Sequence, residues 1–300
     1  MKNLVWLTIL LACATSYAQQ DPIHAQYMNS PMLINPAYAG CTRAFSASIA
    51  YRKQWVGFEG SPVTMNANGH IALADNKMGV GIILLQDEIG SNKTTEAEIT
   101  YAYHLPLKEE MRLSFGLQAG AVNYRSDYSN LTINPNDPKF ASSSEWKPNV
   151  GAGLMLMSEK FMLSLSVPKM LSASNGIDSL TTSLYNRHFY GLAAYLIPLS
   201  YRVKLKPYVM ARGVQHAPLS MDVGVSIRVD DSYTIGIFTR NLNAYGFTAQ
   251  INLGDTFRFG YVFELPSNSS VGLNFTSHEV MLGMRIKALR FHDITTIRNF

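Results

Sequence analysis

The chain has 300 residues, 47% of them hydrophobic and only 15% charged, and carries a formal charge of +4. That composition excludes a disordered chain, and so small a charge gives no argument for nucleic-acid binding. Mean hydropathy is near zero, and beyond the first residues no apolar run approaches 18 positions, which excludes a bundle of transmembrane helices.

Met1 to Ala18 reads as a signal peptide. Lys2 is the positive start, Leu4 to Ala14 the apolar core, and Ser16-Tyr17-Ala18 a small-x-small cleavage site. An alternative stays open: Leu10-Leu11-Ala12-Cys13 has the form of a lipobox, with Cys13 lipidated. Cleavage after Ala18 leaves twenty-four cations against twenty-one carboxylates, +3, and Cys41 as the one cysteine, so no internal disulfide forms. Residues 19–41 are punctuated by Pro and Asn too often for a regular element. Tyr27, Met28, Met32, Leu33, Ile34 and Tyr38 nevertheless predict a packed irregular segment, inside a barrel or at its periplasmic mouth.

From residue 42 to 288 the pattern has period two. Met221, Val223, Val225, Ile227 and Val229 alternate with Asp222, Gly224, Ser226 and Arg228, and Phe257, Phe259, Tyr261 and Phe263 with Arg258, Gly260 and Glu264. Alternating side chains of a strand point to opposite faces, so each segment has one apolar and one polar face. The strands expected are 43–54, 62–74, 77–87, 94–105, 110–124, 148–158, 160–168, 187–198, 201–213, 218–229, 232–240, 244–253, 255–264 and 277–287. That even number of antiparallel strands fits a closed bacterial barrel.

Alternation alone suits a soluble sandwich as well as a membrane barrel. Three features favour lipid on the apolar face. The polar face mixes Arg, Asp, Glu and Gln with Gly and Ser, as a hydrated lumen does. The runs are about 9–11 residues, the length of a tilted membrane strand, and Tyr and Phe gather near strand ends, as in an interfacial girdle. The gaps also alternate between short (75–76, 106–109, 159, 199–200, 230–231, 254) and mostly longer (55–61, 88–93, 125–147, 169–186, 214–217, 241–243, 265–276), the asymmetry of periplasmic turns and outer loops. With the barrel entered from the periplasm, loops 125–147 and 169–186 lie at the cell surface. They read either as variable solvent-exposed loops or, through Tyr128, Phe140, Trp146 and Tyr185, as a docking surface. Residues 289–300 form a tail.

Two ordered motifs carry more. The first runs through Gln20, Asp21, Pro22, Gln26, Tyr27, Asn35, Pro36, Ala37, Tyr38, Ala39 and Gly40; the second through Arg52, Gln54, Trp55, Gly57, Phe58, Gly60 and Pro62. With the final "SHEVMLGMRIK" they resemble the PorP/SprF family of outer-membrane proteins from the Bacteroidetes type IX secretion and gliding systems. His24 and Ala25 depart from the Phe-Ser usual there. Trp55 and Phe58 sit in the first outer loop, and the second motif is expected to fold inward. The resemblance implies a non-enzymatic outer-membrane component that works with the type IX translocon ring and peptidoglycan-binding lipoproteins, and that serves as a docking or attachment platform for a secreted adhesin or enzyme. The rival is a channel for hydrophobic or small polar solutes, with residues 20–40 as its plug.

The seven histidines are scattered singly with no metal-ligand spacing, and no phosphate loop opens a helix, so neither metal nor cofactor is expected. His278 with Glu279, or His188 beside Arg187, would be the place for a surface hydrolase; rim histidines are the plainer reading. Asp222, Arg228, Arg240, Arg258, Glu264 and Arg285 are expected in the lumen, either paired with one another or lining a solute path.

Overall fold

A computed structural model describes residues 24–107, 111–128, 142–171, 173–177, 180–185, 187–214, 218–267 and 275–292. The signal peptide, the lipobox and Gln20, Asp21 and Pro22 lie outside them, as do most of the loop 125–147 and the tail beyond residue 292.

The strands are β1 (Phe45–Lys53), β2 (Val63–Leu73), β3 (Met78–Ile89), β4 (Asn92–Pro106), β5 (Arg112–Ser126), β6 (Ser143–Met157), β7 (Phe161–Lys169), β8 (Ala173–Ile177) and β9 (Leu180–Tyr185). They continue as β10 (His188–Tyr195), β11 (Ile197–Pro198), β12 (Val203–Val214), β13 (Ser220–Val229), β14 (Tyr233–Arg240), β15 (Ala244–Leu253), β16 (Phe257–Pro266) and β17 (Ser277–Ile286). β10 and β11 both pair with β12 and count as one strand interrupted at Leu196. The result is a closed antiparallel barrel of fourteen strands, sealed by β1–β17 and β10–β12 pairing. Closure pairs each strand of the barrel on both sides, which a bilayer demands because lipid offers no hydrogen bonds.

The two faces separate as the alternation predicts. Ile49, Ile82, Ile99, Leu117, Leu165, Val223 and Ile237 point outward and exposed, whereas Arg52, His70, Glu98, Gln118, Asp222 and Glu264 are buried in the lumen. Exposed Tyr103, Tyr195, Tyr233 and Phe257 ring the short-turn end, and Tyr51, Phe189 and Tyr245 the other, as two interfacial girdles. The turn at Asp230-Asp231 has φ of 51° and 53°, the two left-handed residues of a tight hairpin. The short turns mark the periplasmic end.

Three details differ from the sequence reading. Residues 88–93 hold a two-residue turn, because β3 and β4 stay paired to Ile89 and Asn92 and Gly90 takes a φ of 57°. The 169–186 loop contains the hairpin β8–β9, separate from the barrel sheet. β6 starts five residues earlier than expected, at Ser143, because it stays paired with β5 beyond its apolar stretch.

Candidate functional site

The lumen is occupied by the chain's own N-terminal segment. Its first described residues lie at the outer end, although β1 starts at the periplasmic end, so residues 24–44 run the length of the barrel. At the outer end the Ala25 N–H donates to a Glu279 carboxylate oxygen at 2.8 Å, and Gln26 Nε2 donates to the Glu279 carbonyl at 3.4 Å. Tyr27 is buried edge-on against Tyr208, with ring centres 6.2 Å apart. The Ser30 and Ser48 hydroxyls are 3.0 Å apart, and Thr100 donates to the Met32 sulfur at 3.5 Å. Burial of Met32 and Ile34 contributes about 1.5–3 kcal/mol each, as an upper estimate.

Two short 3₁₀ turns, Pro31–Leu33 and Pro36–Tyr38, follow. Proline suits the start of each because its missing N–H is not needed there. Asn35 caps the second turn: its Oδ1 accepts from Ala37 N–H at 2.8 Å. Its Nδ2 meanwhile donates to the Leu154 carbonyl at 3.0 Å, Ser164 Oγ at 2.7 Å and the Leu165 carbonyl at 3.2 Å. One side chain thus shapes the segment and ties it to β6 and β7.

From Ile34 to Gly40 the segment crosses the strands along a row of small inward residues. Cross-strand register joins Ala72, Gly79, Ala102, Gly116, Gly153 and Ser166 in one continuous line over β2 to β7. Ser166 donates to the Ile34 carbonyl, Asn35 lies over Gly153, Ala37 over Gly116, and Ala39 over Gly79. A Cβ at Gly79 would stand 2.0 Å from the Ala39 carbonyl oxygen, so no larger residue fits. Gly40 has a φ of +75°, where side chains are strained, and donates its N–H to His70 Nδ1 at 3.1 Å. The Ala39 carbonyl accepts from His104 Nε2 at 2.8 Å. A carbonyl only accepts, so Nε2 carries the proton and Ser114 donates to Nδ1, also at 2.8 Å. Tyr38 packs edge-on to His70 at 5.7 Å. Arg112 donates to the Cys41 carbonyl at 3.1 Å.

Charged side chains close the outer end around the segment. Arg52 bridges Glu264 and Glu279, and Arg240 holds Asp222 at 2.8 Å and Glu264 at 3.3 Å. On the opposite wall Lys169 pairs with Glu96, while Gln118 and Asn149 each donate to Glu98 at 2.7 Å. Of the six lumen charges read from the sequence, Asp222, Arg240 and Glu264 belong to this network. Arg228, Arg258 and Arg285 lie together at the periplasmic end, lining one cavity.

The first motif from Gln26 to Gly40 is therefore one continuous packed strip across the lumen. The second motif divides. Arg52 and Gln54 are buried at the lumen wall, Trp55 donates its backbone N–H to Ser277 Oγ at 3.2 Å, and Gly57 and Gly60 take φ of 96° and 70° in the loop. Pro62 is buried at the start of β2, accepting from Gln54 N–H at 3.0 Å. Phe58 does not fold inward: it is 51% exposed and rests edge-on against Phe275, the two forming an apolar pair outside the lumen. The row of small residues was missed in sequence. Its only signal is Gly or Ala at inward positions of neighbouring strands, which becomes a line only once register is known. Among the described residues no three His, Cys, Asp or Glu side chains converge as a metal site would. His278 is held by Tyr261 and Thr276, at 2.7 and 3.0 Å.

These features define an outer-membrane β-barrel whose lumen is filled by its own N-terminal segment. The chain belongs to the type IX secretion system membrane protein PorP/SprF family, whose model matches residues 16–284; its fold and family are those of a secretion-system membrane component. No curated protein matches it. Among solved structures it is similar to the Acinetobacter baumannii outer membrane protein Omp33, at 10% identity and a TM-score of 0.48, covering 81% of this chain and 98% of that one. It is similar too to the CymD monoaromatic hydrocarbon channel, at 9% identity and 0.49, covering 88% and 92%. A Pseudomonas aeruginosa FadL homologue matches at 8% identity and 0.46, covering 84% and 91%.

Proposed function

We propose that this barrel is a non-enzymatic docking and attachment platform of the type IX machinery, in which a rigid, plugged wall presents its outer loops to a secreted adhesin or enzyme and its periplasmic turns to translocon ring components and peptidoglycan-binding lipoproteins. The observation that carries this reading is the filled lumen. Residues 25–41 hydrogen-bond to or pack against inward side chains all round the barrel, so the wall works as a scaffold more readily than as a conduit. The pair of exposed Phe58 and half-buried Phe275 supplies apolar outer surface of the kind that recognition uses.

Crosslinking and pull-down from outer membranes, through a tag in the 169–186 loop, test the proposal. Recovery of one large secreted protein together with periplasmic lipoproteins is expected; recovery of abundant membrane neighbours alone would count against it. Purified protein in planar bilayers should show no large steady conductance. A stable open current would turn the reading to the solute channel.

A further inference from the structure

The lumen charges are sorted by end. At the outer end two arginines, Arg52 and Arg240, meet three carboxylates, Asp222, Glu264 and Glu279. At the periplasmic end a cavity of about 120 Å³ is lined by Lys206, Arg228, Arg258 and Arg285, all from inward positions on β12, β13, β16 and β17. Met28 and Asn29 of the N-terminal segment also line it.

Among the described residues, the carboxylates that line this cavity are Asp230, Asp231 and Asp255, in the turns. Two of them already serve other cations: Arg202 donates to Asp230 at 2.6 Å through Nε, and Lys204 to Asp231 at 2.8 Å. Counting those two partners, six cations face three carboxylates around this mouth among the described residues. Arg258 Nε is buried and has no hydrogen-bond acceptor. Gathering like charges where water is scarce costs several kcal/mol per group unless a counter-charge enters. A guanidinium fork presents its donors in the geometry that an oxyanion accepts.

We propose that this cavity binds a small multivalent oxyanion of the phosphate class, entering from the periplasm. Its volume admits one phosphate group and excludes a nucleotide or sugar phosphate in full. The same chemistry is offered by free inorganic phosphate and by the phosphate of a lipid headgroup reaching the mouth from the inner leaflet. The anion would bridge β12–β13 to β16–β17, joining the turns that flank the segment. The site is independent of the docking reading and stands or falls separately.

The test uses the full mature chain folded in neutral detergent in a phosphate-free buffer. Inorganic phosphate, short-chain phosphatidylglycerol and sodium chloride of matched ionic strength are titrated in turn, read by calorimetry and by the midpoint of the heat-induced shift from folded to unfolded mobility. Saturable binding of phosphate, with a raised midpoint that chloride does not reproduce, is expected. Saturation by the lipid alone would also support the site and assign its source. Arg258→Gln should weaken binding at least tenfold. Gln250→Glu, which places a carboxylate in the same cavity at nearly unchanged shape, should abolish binding while the barrel still folds, so the proposal stays testable if the arginine variant fails to fold. No saturable response to either phosphate source, a response equal to that of chloride, or unchanged binding in Gln250→Glu overturns it.

Discussion

Asn35 concentrates the hold of the N-terminal segment in one side chain. Its amide caps a 3₁₀ turn and donates to β6 and β7, so Asn35→Ala removes every one of these bonds and leaves the buried Ala37 N–H without its acceptor. Losing this cap orphans a buried donor, which costs about 1–3 kcal/mol. The barrel itself should still assemble. Single-channel recording on the variant should show brief openings absent from the parent; a silent trace would mean that Asn35 does not secure the plug. Cys41, six residues on, reports the same packing chemically. It is buried and forms no disulfide, so a reagent cannot reach its thiol in the folded barrel. Maleimide should leave the folded mature protein unlabelled and modify it fully after heating in detergent. Rapid labelling of the folded form would place residue 41 in open water.

At the scale of elements, the wall was legible and its contents only partly so. All fourteen strands announce themselves through alternation, since each has lipid-side apolar residues and lumen-side polar ones. The beginning of β6 escaped because Ser143, Ser144 and Glu145 extend past the apolar band and lack an outward hydrophobic face. The β8–β9 hairpin, outside the wall, was missed for want of such a period. The apolar residues of 19–41, Ile34 and Tyr38 among them, already point to a packed segment, and the resemblance to a family sets apart Asn35-Pro36-Ala37-Tyr38-Ala39-Gly40 within it. Its track, Ala72 to Ser166 by way of four small residues on four strands, is scattered over 95 positions and exists only in the register. The placement of the segment gives its own prediction. The Ser30 and Ser48 hydroxyls are 3.0 Å apart, so cysteines at both positions, with Cys41→Ser in the background, lie near disulfide geometry. A bond closing residues 30 and 48 should form spontaneously in the oxidising periplasm, visible as a mobility shift that reductant reverses. A reduced pair would show that the segment does not lie along β1.

The whole molecule sets an apolar exterior against a charged, filled interior, and that inversion is what distinguishes it from a soluble β-sandwich. Leu117 is a sharp probe of the difference. It is 63% exposed, faces outward from the middle of β5, and is paired across the strand with Tyr101 and Ala152. On a water-exposed surface a substitution there would change stability by about 0.5 kcal/mol or less in either direction. In a bilayer, an arginine near the midplane costs about 2–4 kcal/mol. Ser144 is exposed too, but sits on the part of β6 that runs past the apolar band toward the outer loops, where water reaches both faces. Leu117→Arg and Ser144→Arg therefore form a matched pair: the same new side chain, both on exposed strand positions, at different depths. Denaturant unfolding from lipid vesicles should lower the stability of the first by at least 2 kcal/mol and leave the second within error of the parent. If the two variants were equally benign, the outward face would be meeting water rather than lipid. If both were equally damaging, strand pairing rather than depth would control the cost.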